Sequence, residues 1–359
     1  MKKSAYKSGT VLIAAFCLLS LTLSAQDELT RNYHEEYTAN DSTSLELNNR
    51  YGNIIVQTSA TDKVVIDVKI TMQYPNREKA EKLMSYISVV IGKSGNRISA
   101  RTEIDERFSF NIWNSSKKFR IDYNVSMPES MDLGLVNRYG NTNLDDLGGH
   151  VDINIKYGNL SATRLSRGNL KPMSSVSISY GNLSIKEAGW LDITARYCGD
   201  MSINTIQALL LDSKYSKFKA GSVSSVVGET SYGTLKIDNI RNLVLESEYT
   251  DVSVGTLTNK LDLECGYGGF NADKVTAGFE SIDVKTRYTG VRLGIEERAS
   301  YTLDARTSYS GFKYNEDNFQ VKRRIIENVS REINGIVGRE TSPSSSVRIS
   351  ASYGNITLY

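Results

Sequence analysis

The chain has 359 residues, with 43 Lys and Arg against 41 Asp and Glu, for a formal net charge of +2. So balanced a charge argues against a nucleic-acid binder, which needs a cationic surface to displace counterions. Apolar residues at 40% and charged residues at 23% exclude a disordered chain and a membrane bundle, and suffice for a large core. Two His leave little room for metal or histidine acid–base chemistry.

Lys2, Lys3 and Lys7 precede an apolar run from Val11 to Leu23, which exits through Ser24-Ala25-Gln26. A cationic start, an apolar run too short to span a bilayer comfortably and a small-residue exit predict a signal peptide over 1–25, cleaved after Ala25. Phe16 is too bulky before Cys17 for a lipoprotein signal. Removing the leader leaves 40 basic and 41 acidic side chains. No later stretch offers about 18 unbroken apolar residues, so no transmembrane segment is expected in the mature chain. The expected address is the periplasm or cell surface of a Gram-negative bacterium.

From Tyr51 onward a short motif recurs. Tyr51-Gly52-Asn53, Tyr139-Gly140-Asn141, Tyr157-Gly158-Asn159, Tyr180-Gly181-Asn182 and Tyr353-Gly354-Asn355 are its full copies. Looser copies fall at Tyr197, Tyr215, Tyr232, Tyr249, Tyr267, Tyr288 and Tyr309, so one column takes twelve of the 21 tyrosines. Before each tyrosine the chain alternates, as in Val151, Ile153 and Ile155 against Asp152, Asn154 and Lys156. Period-two alternation marks a strand with one buried face. After the Gly-Asn pair the apolar parity shifts, to Leu160 and Ala162, and the glycine is expected to supply the permissive backbone of a corner. An aliphatic returns eight residues past many tyrosines, at Leu147, Leu165, Val223, Ile240, Leu257 and Val275.

These observations predict an all-β chain: a parallel β-solenoid of about twelve coils with a right-handed bias, about 55–60 Å long at a 4.8 Å repeat. The first coil is expected over 26–59, further coils over 131–314 and a closing coil over 347–359. The tyrosines share the apolar parity. They are therefore expected to stack inside the coils, as a structural ladder rather than a sugar-binding strip. Tyr232→Ala should then cost about 3–5 kcal/mol, as for a buried aromatic. Cys265 falls inward and Cys198 at a corner about 19 Å away along the stack. That exceeds the roughly 7 Å a disulfide tolerates, so both thiols are expected to be free.

The register breaks over 60–130. Val64–Tyr74 alternates as a strand, Pro75-Asn76 opens a helix with Ala80, Leu83 and Met84 on one face, and Ile87–Ile91, Ile98–Ile104 and Phe119–Met127 read as strands. An aromatic stretch, Phe108–Trp113, lies among them. This α/β insertion is expected to cap the first coil, because an uncapped solenoid exposes sheet edges that aggregate. The polar stretch 315–346, with Lys322-Arg323-Arg324, reads as a loop insertion carrying a solvated basic patch.

Leu45-x-Leu47-x-x-x-Tyr51-Gly52-Asn53, Asn124-Val125-Ser126-Met127-Pro128 and the Tyr-Gly-Asn units resemble the bacterial putative-adhesin family, secreted domains of tandem β-strand repeats related to the head-GIN type. The resemblance covers essentially the mature chain. It implies a fold and no catalytic residues.

Long β-helices also house polysaccharide lyases and hydrolases. Asp262, Asp283 and Asp304 fall in one outward column of three successive coils, where they could bind Ca²⁺ or act on a glycan. Glu264, Lys285 and Arg306 fill the next outward column, so ordinary cross-strand ion pairing accounts for the aspartates. His34 and His150 have no Cys or His partner at ligand spacing. No catalytic, cofactor-binding or metal residues are expected. The expected function is a non-enzymatic, adhesin-like scaffold of the cell envelope that binds an envelope protein or glycan, without nucleic acid. The alternatives are a carbohydrate-active enzyme and a periplasmic module of an envelope signalling system.

Overall fold

The computed structural model describes residues 28–40, 42–108 and 118–359. The expected signal peptide and most of the Phe108–Trp113 stretch lie outside them. The described chain is almost entirely β and solenoid-like, with the helix Arg77–Met84 as its one helical element.

The alternation in the sequence becomes alternation in burial. In the strand Val151–Lys156 the residues Val151, Ile153 and Ile155 are buried while Asp152, Asn154 and Lys156 are exposed. The next strand, Leu160–Leu165, buries Leu160, Ala162 and Leu165. From Asp132–Arg138 to Ser281–Ile295 each repeat lies parallel to its predecessor with like residues in register. Ile153 pairs with Leu135 on one side and Val176 on the other, and Leu160 lies between Thr142 and Leu183. Further along, single strands run from one corner to the next, as in Asp200–Lys214, Lys217–Ser231 and Thr234–Glu248. The returning aliphatics Leu147, Leu165, Val223, Ile240, Leu257 and Val275 are all buried. Each contributes about 1.5–3 kcal/mol of apolar burial to a core that runs the length of the stack.

The corner is built otherwise than expected. Its left-handed residue is the tyrosine, not the glycine. All twelve tyrosines of the column have φ between 50° and 64°. The glycine that follows serves close approach. A Cβ at Gly158 would lie 1.9 Å from the carbonyl oxygen of Gly140, and one at Gly140 would lie 1.8 Å from that of Gly52. Where a side chain replaces this glycine it is small and bonds back to the chain. The hydroxyls of Ser216, Thr250 and Thr289 donate to the carbonyls of Lys214, Glu248 and Arg287 at 2.9–3.1 Å.

At the first end the insertion continues the sheet rather than merely lying on it. Arg97–Ile104 pairs parallel with Ser44–Arg50, and Lys118–Pro128 pairs parallel with Ile54–Ser59. Antiparallel strands then close both faces. Ile87–Ser94 pairs with Arg97–Ile104, and Lys63–Gln73 with Lys118–Pro128. The strand Glu28–Thr38, expected within the first coil, pairs antiparallel with Lys63–Gln73 and so belongs to this cap. Asn76 caps the helix by accepting from the Lys79 amide at 2.8 Å, and Ala80 and Met84 are buried on its inner face.

The other end departs from expectation twice. The stretch 315–346 is not a loop but holds a β-hairpin of Phe319–Ile326 and Ser330–Val337, the latter antiparallel to Tyr301–Ser308. Its alternation is hidden because nearly all of Phe319–Ile326 is solvent-exposed, so no buried face imposes a pattern. Nor does the C-terminal unit close the rod. Ser345–Ser352 lies between Ser281–Ile295 and Tyr301–Ser308, parallel to both. The hairpin turns the chain back, and the C-terminus fills the rung left open behind it.

The two roles of glycine can be separated by denaturant unfolding. Gly158→Ala should cost about 3 kcal/mol or more, because backbone must move to admit the methyl group. At Gly290 the nearest atom to an added Cβ is the Asn355 carbonyl oxygen at 3.9 Å. Gly290→Ala should therefore be neutral or stabilising by up to about 1 kcal/mol.

Candidate functional site

The twelve tyrosine rings form one continuous stack. Its order is Tyr51, Tyr139, Tyr157, Tyr180, Tyr197, Tyr215, Tyr232, Tyr249, Tyr267, Tyr288, Tyr353 and Tyr309. Neighbouring centroids are 4.8–5.1 Å apart and the planes lie within 16° of parallel. The stack is outside the coils, not inside them. Eleven of the rings are 41–59% exposed and Tyr51 is half-buried. Counting by two places the tyrosine inward only while the backbone stays extended. A positive φ turns its Cα–Cβ bond away from the core.

This geometry decides what the ridge can do. Ring faces point along the rod and are covered by the next ring. Tyr51 is flanked by Phe119 at 5.1 Å on one side and Tyr139 on the other. Only ring edges and hydroxyls meet solvent, so a sugar or base has no internal face to stack on, although the hydroxyls can exchange hydrogen bonds along the whole ridge.

Two columns flank the ridge at its first end. On one side Arg50, Arg138 and Lys156 occupy three successive rungs, followed after Ser179 by Arg196 and Lys214. On the other side Asn53, Asn141, Asn159 and Asn182 form an amide ladder, each side-chain oxygen accepting from the next rung's backbone N–H at 2.8–3.0 Å. A depression of about 600 Å³ opens between Tyr51, Asn53 and Tyr139 and the pair Arg120 and Asp122.

The expected carboxylate column is not assembled. Asp262 and Asp283 are neighbours, but the inserted C-terminal strand puts Arg348 between Asp283 and Asp304. Arg348 meets Asp283 at 3.3 Å, and Arg306 meets Asp304 at 3.5 Å. Of the two histidines, His34 contacts Asp67 at 2.7 Å and the His150 ring meets the Met173 carbonyl at 3.2 Å. Cys198 and Cys265 are both free and buried. Burial pushes the Cys265 thiol up to about 12.

Similar proteins are distant in sequence. No protein-family pattern and no curated protein matches the chain. Crystal structures align along nearly its whole length. One is a putative cell adhesion protein from Clostridium sporogenes, at 10% identity, covering 92% of this chain and 99% of its own, with a TM-score of 0.20. Another is a putative adhesin from Parabacteroides merdae, at 9% identity, covering 92% and 96%, with a TM-score of 0.28. A third is a putative lipid binding protein from Parabacteroides distasonis, at 10% identity, covering 91% and 96%, with a TM-score of 0.34.

The outward rings change the expected cost of their removal. Tyr232 stacks at 4.9 Å on both Tyr215 and Tyr249. Each contact contributes about 0.5–1.5 kcal/mol beyond area burial, so Tyr232→Ala should cost about 1–3 kcal/mol in urea unfolding, less than for a buried ring. Tyr232→Gly should be tolerated better than Tyr232→Val, because valine is strained at this φ. For the thiols, a colorimetric reagent at pH 8 should find neither Cys198 nor Cys265 in the native protein and both after denaturation.

Proposed function

We propose that this protein is an exported, non-enzymatic, adhesin-like scaffold: a right-handed parallel β-solenoid of about twelve coils whose outer surface binds a macromolecule of the cell envelope. The observation that supports this is the ridge itself. One row of phenol edges and hydroxyls runs along the stack without interruption, flanked at its first end by cationic and amide columns in the same register. Such a surface offers the same contact many times over, which suits an extended or multivalent partner. Multivalent contact raises avidity without any single deep pocket. Arg348 separates Asp304 from Asp283 and pairs with Asp283, which favours the binding reading over the glycan-cleaving alternative. The 1–25 segment, read as a signal peptide, supports a periplasmic or cell-surface address. Among the described residues no helix is long and apolar enough to cross a membrane.

The test is sedimentation of the purified exported chain with envelope fractions of the producing cell. Saturable retention on at least one fraction is expected, with no shortening of envelope polysaccharides during incubation. Absence of saturable retention on every fraction would overturn the proposal.

A further inference from the structure

Three cations in a row are an expensive arrangement on a sheet. Like charges directly opposite one another destabilise neighbouring strands. Arg50, Arg138 and Lys156 are register partners on three successive parallel rungs, about 4.8 Å apart. Arg138 and Lys156 are exposed, and neither forms a salt bridge among the described residues. Arg50 and Lys156 lie against the rings of Tyr51 and Tyr157, at 5.4 and 5.3 Å. The acidic groups of this stretch are already engaged. Glu46 pairs with Arg97 at 3.1 Å, Asp122 with Arg120 at 2.9 Å, and Asp152 accepts from the Ser175 hydroxyl at 2.7 Å. Asp212 is held by Arg196, further along the same column.

The charges therefore have no acidic partner among the described residues, and the surface beside them is rich in hydrogen-bonding groups. Across the row of Tyr51, Tyr139 and Tyr157 hydroxyls stands the amide ladder of Asn53, Asn141 and Asn159. The depression by Tyr51 and Asn53 opens at the start of the row. A ligand suited to this strip is straight, bears closely repeated negative charges and carries many hydroxyls. Single-stranded nucleic acid is poorly served, because it binds through base stacking on open aromatic faces and these faces are closed.

We infer that the strip formed by Arg50, Arg138, Lys156 and the adjoining tyrosine and asparagine rows is a binding site for an acidic glycan lying along the rod. This rests on the scaffold role proposed above and names its ligand class. Anionic groups of the glycan meet the three cations, while its hydroxyls exchange hydrogen bonds with the phenols and amides. Part of the binding free energy comes from counterions released by the polyanion, so affinity falls as salt rises.

The probes are polygalacturonate, uncharged dextran and duplex DNA, each titrated against the purified protein at low and at physiological salt. Polygalacturonate should bind at least about tenfold tighter than dextran, and more weakly at the higher salt. R138E/K156E should weaken it about tenfold or more with the melting temperature unchanged. R138Q/K156Q, which avoids new carboxylates, should weaken it in the same direction. K285E/K313E makes the same charge change elsewhere and should leave it intact. Equal loss in K285E/K313E, no loss in R138E/K156E, or DNA binding as tight as polygalacturonate would overturn the site. Sedimentation of R138E/K156E with envelope fractions separates the two proposals. Retention that persists without polygalacturonate binding removes the site and leaves the scaffold role standing.

Discussion

An unfavourable backbone is tied to a favourable side-chain contact at every corner of this rod. A tyrosine at positive φ costs on the order of 1 kcal/mol, and each ring-on-ring contact returns about 0.5–1.5 kcal/mol. The two nearly cancel, so the stack adds little net stability. What it adds is coupling. A corner is worth forming only if the corners beside it are formed, with their rings 4.8–5.1 Å away. Strands of similar small aliphatics, such as Val151–Lys156 and Ser174–Ser179, would tolerate a register slip by two residues. A slipped corner would lose both ring contacts, so the tyrosines hold the register that the aliphatics leave loose.

The same coupling fixes the chemistry of the surface. Because every internal face is spent on a neighbouring ring, the ridge offers edges and hydroxyls along its length instead of aromatic platforms. The columns on either side inherit its spacing. The backbone of Arg138 cannot move away from that of Arg50 or Lys156 without moving a corner. Charge repulsion that a flexible loop would relieve is therefore retained, poised for a ligand of opposite sign.

Much of this was legible in the residues. The strands of each repeat followed from alternation, and the cap strands from Val64, Ile98 and Phe119 onward lie where their patterns put them. The direction of the tyrosines was not legible, because parity counting assumes an extended backbone and Tyr139 sits at φ 61°. Nor was the company of Asp283, since Arg348 reaches it from 65 residues away through a strand inserted out of chain order. The candidate strip was hidden for a related reason. Arg50 and Arg138 are separated by the whole 60–130 insertion in sequence, and only the pairing of Ser44–Arg50 with Asp132–Arg138 makes them neighbours.

The rung filled by Ser345–Ser352 has a consequence for assembly. A chain delivered N-terminus first can lay down its repeats one upon another, each templated by the last. That simple order fails at Tyr301–Ser308, which must wait beside a slot that the later segment Ser345–Ser352 occupies. The stack is completed like a zip whose slider enters out of order, and loss of Ser345–Ser352 would leave a breach inside it rather than a shortened tip.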